Sequence, residues 1–186
     1  EIYTLSLHDA LPICVKVYIV QSIFPFYLYY NLLVIFFNRI FSLPYQYGEN
    51  LGGFLKLPNS GSLTSIGDEA FAGCRFTNEL TIPNSVRSIG NYAFDSCNFC
   101  GELTIPEGIG TIGVRTFAYN DFSSLTIPNG VRTIEHSAFE GCKNLRGDLT
   151  IPNSVTIIDN YAFAYCSGLS EHLKLSDNIL PISSKP

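Results

Sequence analysis

The chain has 186 residues, which allows one domain of ordinary size, and its 11 lysines and arginines stand against 16 aspartates and glutamates, for a formal net charge of −5. The charges of both signs are interspersed along the chain and form no basic stripe. This distribution argues against a nucleic-acid-binding surface.

The first 13 residues resemble the translation of a sequencing adapter, so we exclude them from the fold prediction. Residues 14–43 follow as a doubtful hydrophobic segment, rich in Ile, Phe, Tyr and Leu and without charge over residues 17–38. Three interpretations of it stay open: translated upstream DNA, a membrane or signal anchor, for which its length suffices, or a decayed repeat.

From residue 44 onward the sequence is dominated by an internal repeat. The phrase Leu-Thr-Ile-Pro begins at Leu80, Leu103, Leu125 and Leu149, with variants at Leu55 and Leu173, at intervals of 22 to 25 residues. A period of this length is typical of solenoids, in which each repeat is one turn of a coil. We number the six repeats from these leucines and predict a repeat domain over residues 44–186, with a truncated last repeat.

Each repeat is predicted to contain a strand, a turn and a short helical turn. Leu and Ile alternate with Thr as in a strand, and a proline followed by Asn-Ser or Asn-Gly closes it. Ile89, Ala93 and Cys97 then lie four residues apart, which is the spacing of one helix face, and Gly90-Asn91 precedes them as a cap.

Stacking of such repeats predicts an α/β solenoid, because one repeat alone buries too little apolar surface to fold. The strands are expected to form one parallel β-sheet, with right-handed connections that carry the helical turns along the opposite side. Equivalent phenylalanines are expected to form one continuous buried column. Its members are Phe71, Phe94, Phe117, Phe139 and Phe163.

The pattern L-T-I-P-N-S-V-x-x-I-G-x-x-A-F-x-x-C, found at residues 80–97 and, with Asp159 in place of Gly, at residues 149–166, resembles the BspA-type leucine-rich repeat of bacterial surface and secreted proteins. The resemblance extends from Leu55 to about Ile182. It implies adhesion or protein binding outside the cell or at the bacterial cell surface, with a protein ligand such as a host or extracellular-matrix protein. It supplies no catalytic residues.

Four cysteines occupy the same repeat position, four residues after its alanine: Cys74, Cys97, Cys142 and Cys166. We interpret them as a column of small buried side chains, in preference to disulfides between adjacent repeats or a metal site. The pair Cys97-x-x-Cys100 has no second pair, so the sequence predicts neither a metal nor a cofactor.

Two further motifs are better explained by the repeat than by a ligand. Gly108, Gly110 and Gly113 satisfy G-x-G-x-x-G, but the first and last are repeat glycines and no doubly wound unit surrounds them. The tripeptide at residues 146–148 is Arg-Gly-Asp, yet its glycine recurs at Gly101 in the same position before a strand, which favours a structural turn.

No catalytic constellation is recognisable in the repeats. His136 and His172 come with no serine or cysteine nucleophile and no acidic partner at a known spacing. We therefore predict that the chain is not an enzyme.

The predicted binding site is the exposed side of the sheet, because strand alternation points the residues that flank the buried Leu and Ile outward. One column consists of Glu79, Glu102, Ser124, Asp148 and His172, and the next of Thr81, Thr104, Thr126 and Thr150. The threonines could equally form a structural ladder of good strand formers. The competing function is a spacer that carries another domain, and membrane contact is expected only if residues 17–38 are an anchor.

Overall fold

The computed structural model describes residues 39–40, 52–57, 59, 61, 63–169 and 173–174. All of them belong to one compact unit, Ile35–Pro186. The adapter-like residues 1–13, the hydrophobic segment 14–43 apart from Arg39 and Ile40, and His172 lie outside the described residues. Within the described part of the chain, no helix is both long and apolar enough to cross a membrane.

The described residues form short strands and one 3-10 helix. The elements are β1 (Arg39–Ile40), β2 (Gly52–Gly53), β3 (Ser65–Ile66), β4 (Arg75–Phe76), β5 (Ser88–Ile89), β6 (Cys100–Thr104), β7 (Thr111–Ile112), β8 (Asp121–Thr126), β9 (Thr133–Ile134), β10 (Leu149–Thr150), β11 (Ile157–Ile158), the 3-10 helix (Ser167–Leu169) and β12 (Leu173–Lys174). Each strand pairing among them is parallel, and all except that of β1, which precedes the predicted repeat domain, join equivalent positions of successive repeats.

The expectation of a single parallel sheet is wrong, because each repeat contributes more than one short strand. The described strands form five small sheets, ordered β1-β3-β5, β7-β9-β11, β2-β4, β6-β8 and β10-β12. The Leu-Thr strands pair as predicted in β6-β8 and β10-β12. A second set, dipeptide strands that end in Ile, pairs through Ile66 and Ile89 and through Ile112, Ile134 and Ile158.

The first repeat lacks the predicted Leu-Thr strand for a specific reason. The Asn78 side chain accepts a hydrogen bond from Leu55 N at 3.0 Å and donates one to Leu55 O at 3.0 Å. The side-chain amide thus satisfies both backbone groups that a neighbouring strand would otherwise pair. At Leu80 there is likewise no strand, and the adjacent Glu79 makes an isolated parallel bridge with Cys100.

The predicted turns are confirmed after each proline that the structure describes in the repeats. The amides of Val86, Ile109, Val131 and Val155 each donate to the carbonyl of the proline three residues earlier, at 3.0 to 3.2 Å. This is the hydrogen bond of a β-turn in which proline is the first residue and the next two are Asn-Ser, Glu-Gly or Asn-Gly. The turns connect the Leu-Thr-Ile segments to the short strands that end in Ile.

The predicted helical turns are wrong: the residues around each Ala-Phe pair form consecutive turns with two left-handed residues. We call these stretches turn segments, and they span residues 68–74, 91–97, 114–120, 136–142 and 160–166. In the second of them Tyr92 and Ser96 have φ of 58° and 56°. Because left-handed residues recur every four positions, Ala93 and Cys97 acquire the spacing of a helix face without a helix.

The predicted cap residues also have a different role. Asp68 Oδ1 accepts a hydrogen bond from Asn91 N at 2.7 Å, and Asn91 Oδ1 accepts one from Val114 N at 2.9 Å. Each side chain therefore binds the backbone of the following repeat rather than capping its own turn. The bond links neighbouring turn segments at their first residue.

Backbone amides in the turn segments alternate between two directions. In the first segment, the N–H groups of Glu69, Phe71 and Gly73 donate to the next repeat, whereas those of Ala72 and Cys74 donate within their own. The same alternation recurs in the next three segments, and the bonds between repeats measure 2.7 to 3.1 Å. Neighbouring repeats are thus joined by a hydrogen-bonded ladder at the turns as well as at the strands.

The predicted phenylalanine column is confirmed. Phe71, Phe94, Phe117 and Phe139 are buried, and each ring stacks on the next one along the column, up to Phe163, with centroids 5.3 to 5.6 Å apart and planes within 9° of parallel. A shorter second row crosses it edge-on, as in the contact of Phe94 with Phe99. Aromatic pairs of this kind stabilise a core by about 0.5 to 1.5 kcal/mol beyond the area they bury.

Gly90 tests how closely the repeats approach. A Cβ at this position would overlap the backbone of Gly67 and Asp68 in the preceding repeat. We expect Gly90→Ala to lower the free energy of unfolding by about 1 to 3 kcal/mol, because the repeats must move apart. Gly110→Ala is the control, since a Cβ there meets no atom within 4 Å. Equal urea midpoints for the two variants would contradict the close approach.

Candidate functional site

Most of the predicted sheet-side residues whose side chains the structure describes are exposed, and Ser124 is half-buried. The exposed ones are Glu79, Thr81, Glu102, Thr104, Thr126, Asp148 and Thr150. The parallel pairing of β6 with β8 places Glu102 opposite Ser124 and Thr104 opposite Thr126. These four residues form a continuous polar group.

The acidic column is less regular than the sequence suggests. The register of β6 shifts between Gly101 and Glu102, and Glu79 bridges to Cys100 rather than to Glu102. The Glu79 side chain lies against Gly101, where a Cβ would collide with it. Glu79 and Glu102 are therefore offset along the chain instead of lying directly opposite each other.

The four repeat cysteines form the predicted column of buried side chains. They are free thiols, as is the half-buried Cys100. The Sγ atoms of Cys97, Cys142 and Cys166 donate to the carbonyls of Phe71, Phe117 and Phe139 in the preceding repeat, at 2.9, 3.3 and 3.1 Å. The thiol thus satisfies a backbone carbonyl beside the phenylalanine column.

Burial controls the chemistry of these thiols. It raises the pKa of Cys74 and of Cys142 to about 12 and that of Cys166 to about 11. The pKa of Cys97 is also raised by burial. Because the thiolate is the nucleophile and the metal ligand, protonated thiols of this kind are suited to packing and hydrogen bonding.

Asn120 replaces the cysteine in the third repeat and makes the equivalent bond. Its Nδ2 donates to Phe94 O at 2.8 Å, which is the carbonyl that a cysteine would reach. Its Oδ1 also accepts a hydrogen bond from Phe99 N at 3.0 Å. The buried amide is therefore satisfied on both sides. Thr116, the replacement for Ala in the same repeat, is buried and donates to Gly90 O at 3.2 Å.

The other sequence motifs lie in turns and packing contacts. Positions Gly108 and Gly113 adjoin the side chains of Arg87 and Asn91, so a Cβ at either glycine would contact them. The tripeptide at residues 146–148 is exposed, and Gly147 has a left-handed φ of 77°. Among the described residues, no group of three or more His, Cys, Asp or Glu side chains is arranged to hold a metal ion.

A cluster that the sequence analysis missed lies on the turn segments around Arg115. Its guanidinium carbon lies 5.7 Å from the ring centroid of Tyr92 and 5.0 Å from that of Tyr119, and Nη2 lies 3.2 Å from Asp95 Oδ2. Tyr119 Oη donates to Glu140 Oε1 at 2.6 Å. Two tyrosines and a carboxylate therefore surround one cation.

The charges in this cluster are tuned by their surroundings. Burial raises the pKa of Asp95, and the adjacent Arg115 opposes that shift. The hydrogen bond from Tyr119 lowers the pKa of Glu140, and the same bond raises the pKa of Tyr119. Glu140 therefore remains an anion on this surface at neutral pH. The signal in the sequence was limited to tyrosines before Ala93 and Asn120, because Arg115 occurs at its repeat position in the third repeat alone.

Comparison with known proteins identifies the family to which the chain belongs. The family model for the BspA type leucine rich repeat region matches residues 49–184 in six copies. The chain belongs to this family, as its repeat pattern predicted. No functionally curated protein shows significant sequence similarity to it.

Two solved structures share the leucine-rich-repeat fold. A leucine rich cell surface protein from Faecalibacterium prausnitzii A2-165 is 33% identical, with a TM-score of 0.59 over 67% of this chain and 32% of that chain. A leucine-rich repeat protein from Bacteroides ovatus ATCC 8483 is 23% identical, with a TM-score of 0.50 over 69% of this chain and 42% of that chain. This chain therefore spans less than half the length of either protein.

Asn120 tests the hydrogen-bonded column. We expect Asn120→Leu to lower the free energy of unfolding by about 2 to 4 kcal/mol, because Phe94 O loses a donor and buried Phe99 N loses its acceptor. Asn120→Cys, which restores the donor to Phe94 O, is expected to cost less. Urea denaturation measures both variants, and an equal loss of stability would contradict the role of that donor.

The buried thiols predict a loss of stability at alkaline pH. The unfolded chain releases the Cys142 proton near the ordinary pKa of 9.0, whereas the folded chain retains it up to about 12. Stability from this group is thus complete below pH 9 and falls as pH rises, by roughly 1 kcal/mol per pH unit. Unfolding free energies between pH 8 and pH 11 should fall less steeply for Cys142→Ala than for the unaltered chain. A Leu145→Ala control should lower stability without changing the slope.

Proposed function

We propose that this chain is a repeat module of a cell-surface or extracellular bacterial protein, and that it binds other proteins without catalysing a reaction. In this proposal the chain folds as a right-handed solenoid, in which parallel strand pairs join successive repeats. Membership of the BspA-type family supports the proposal, together with the cell-surface description of the Faecalibacterium prausnitzii protein that shares its fold.

The exposed polar group on the paired strands β6 and β8 is the main support for the binding role. Thr104 and Thr126 are neighbours in register, are both exposed, and lie beside the Glu102 and Ser124 pair. Strands held by backbone hydrogen bonds present such side chains in a fixed geometry, which reduces the entropy lost on binding. The partner in this proposal is a protein ligand, such as a host or extracellular-matrix protein, contacted along the sheet-side residues.

The double substitution Thr104→Lys and Thr126→Lys tests this surface. Two lysines should obstruct the polar group and weaken binding to a panel of immobilised, purified extracellular-matrix proteins by about tenfold or more, corresponding to roughly 1.4 kcal/mol. Surface plasmon resonance measures the affinity, and circular dichroism with thermal melting checks the fold.

The matched control is Ser88→Lys with Thr111→Lys, which adds the same charge at exposed positions of β5 and β7. We expect its affinity to stay within about twofold of the unaltered chain. Equal effects of the two double variants would contradict a site on β6 and β8. If the unaltered chain bound no member of the panel, the result would favour a spacer that carries another domain.

A further inference from the structure

The turn segments expose tyrosines at positions where the backbone is left-handed. Tyr119, Tyr161 and Tyr165 have φ between 53° and 61°, and their side chains are 40%, 62% and 70% exposed. The equivalents of Tyr165 in other repeats include Gly73 and Gly141, which adopt this conformation without steric conflict. Tyr161 and Tyr165 bear the steric cost of this conformation and gain little burial, so packing does not explain their presence.

The Arg115 cluster shows what such tyrosines can hold. Arg115 lies over the rings of Tyr92 and Tyr119, and its guanidinium is paired with Asp95. The negative face of an aromatic ring attracts a cation, and a nearby carboxylate strengthens the attraction. The protein thus contains one complete example of a cation bound between tyrosines and a carboxylate.

The turn segments of the fourth and fifth repeats carry two exposed tyrosines, both in the fifth repeat, and Glu140 at the position of Asp95. These segments, residues 136–142 and 160–166, contain no lysine or arginine. The position of Arg115 is occupied there by Ser137 and Tyr161. The only ring contact of Tyr161 within the described part of the chain is with His136, at 5.5 Å between centroids.

Acidic residues of these repeats occupy neighbouring backbone positions. Glu135 and Asp159 directly follow Ile134 and Ile158, which are paired in register. Glu140 adds a third carboxylate, and its neighbour Gly141 donates to Ala164 O beside Tyr165. A cationic partner is complementary in charge to these residues.

We propose that this tyrosine–carboxylate surface binds a lysine- or arginine-bearing segment of a protein partner through cation–π contacts and ion pairs. The surface consists of Glu135, Glu140, Asp159, Tyr161 and Tyr165. Its residues differ from those of the sheet side, so the proposal holds whether or not the sheet side binds a ligand.

The probe is a fluorescein-labelled peptide in which arginines alternate with glycine and serine, and its partner probe replaces each arginine with citrulline, which has a similar shape and no charge. Binding to the full chain is measured by fluorescence anisotropy at about 0.15 M salt. This salt concentration limits attraction between distant charges. We expect the arginine peptide to bind and the citrulline peptide to bind at least about tenfold more weakly.

Variants separate a specific surface from net charge. The double variant Tyr161→Ala with Tyr165→Ala should weaken binding by about tenfold, whereas the two Tyr→Phe changes, which keep the rings, should stay within about twofold. Glu135→Gln with Asp159→Asn should also weaken binding. The control Glu69→Gln with Glu107→Gln removes the same charge at exposed positions outside both proposed surfaces and should leave it unchanged.

Several outcomes would overturn the proposal. Absence of binding to the arginine peptide, equal binding of the citrulline peptide, or an equal loss in the control Glu69→Gln with Glu107→Gln would each do so. Binding of a neutral N-acetylglucosamine oligomer that depends on Tyr161 and Tyr165, without binding of the arginine peptide, would instead assign the tyrosines to carbohydrate stacking. Thermal melting of each variant confirms that it is folded before its affinity is compared.

Discussion

The fold depends on the alternating direction of backbone amides in the turn segments. Two left-handed residues in each segment, such as Tyr92 and Ser96, turn every second N–H toward the next repeat. A helix would satisfy these amides within one repeat, so none of them would bond to the next repeat. Here the same amides fix the distance between repeats, and the stacking distance of Phe94 on Phe117, 5.6 Å, follows from it.

The third repeat shows that this constraint acts on hydrogen bonding and size rather than on residue identity. Asn120 replaces the thiol of the other repeats, yet it donates to Phe94 O just as Cys142 donates to Phe117 O. Thr116 replaces Ala and finds a carbonyl acceptor of its own. A polar residue is therefore accepted in this core where it has a backbone partner. The recurrent cysteines are explained in the same way, as small donors.

The repeat period, the phenylalanine column, the proline turns and the buried thiols were all predictable, because each depends on residues that recur in nearly every repeat. The helical turns were predicted wrongly because left-handed residues four positions apart reproduce the helical spacing of Ile89, Ala93 and Cys97. The Arg115 cluster was missed for the opposite reason. It depends on residues that differ between repeats, and alignment to a common pattern removes that information.

The same contrast between recurrent and variable positions separates the two proposed surfaces. The sheet side offers a similar hydroxyl at Thr104 and Thr126, so a partner displaced by one repeat would meet nearly the same group. A partner displaced by one repeat would not meet the same groups on the tyrosine–carboxylate surface. Among the described residues, an acidic residue follows the strand isoleucine only at Glu135 and Asp159. A partner that used both surfaces would gain contact area from the first and a fixed register from the second. Two linked sites bind a partner more tightly than either site alone only if the partner can contact both sites at the same time. The variable residues would therefore decide where along the repeats a bound protein lies.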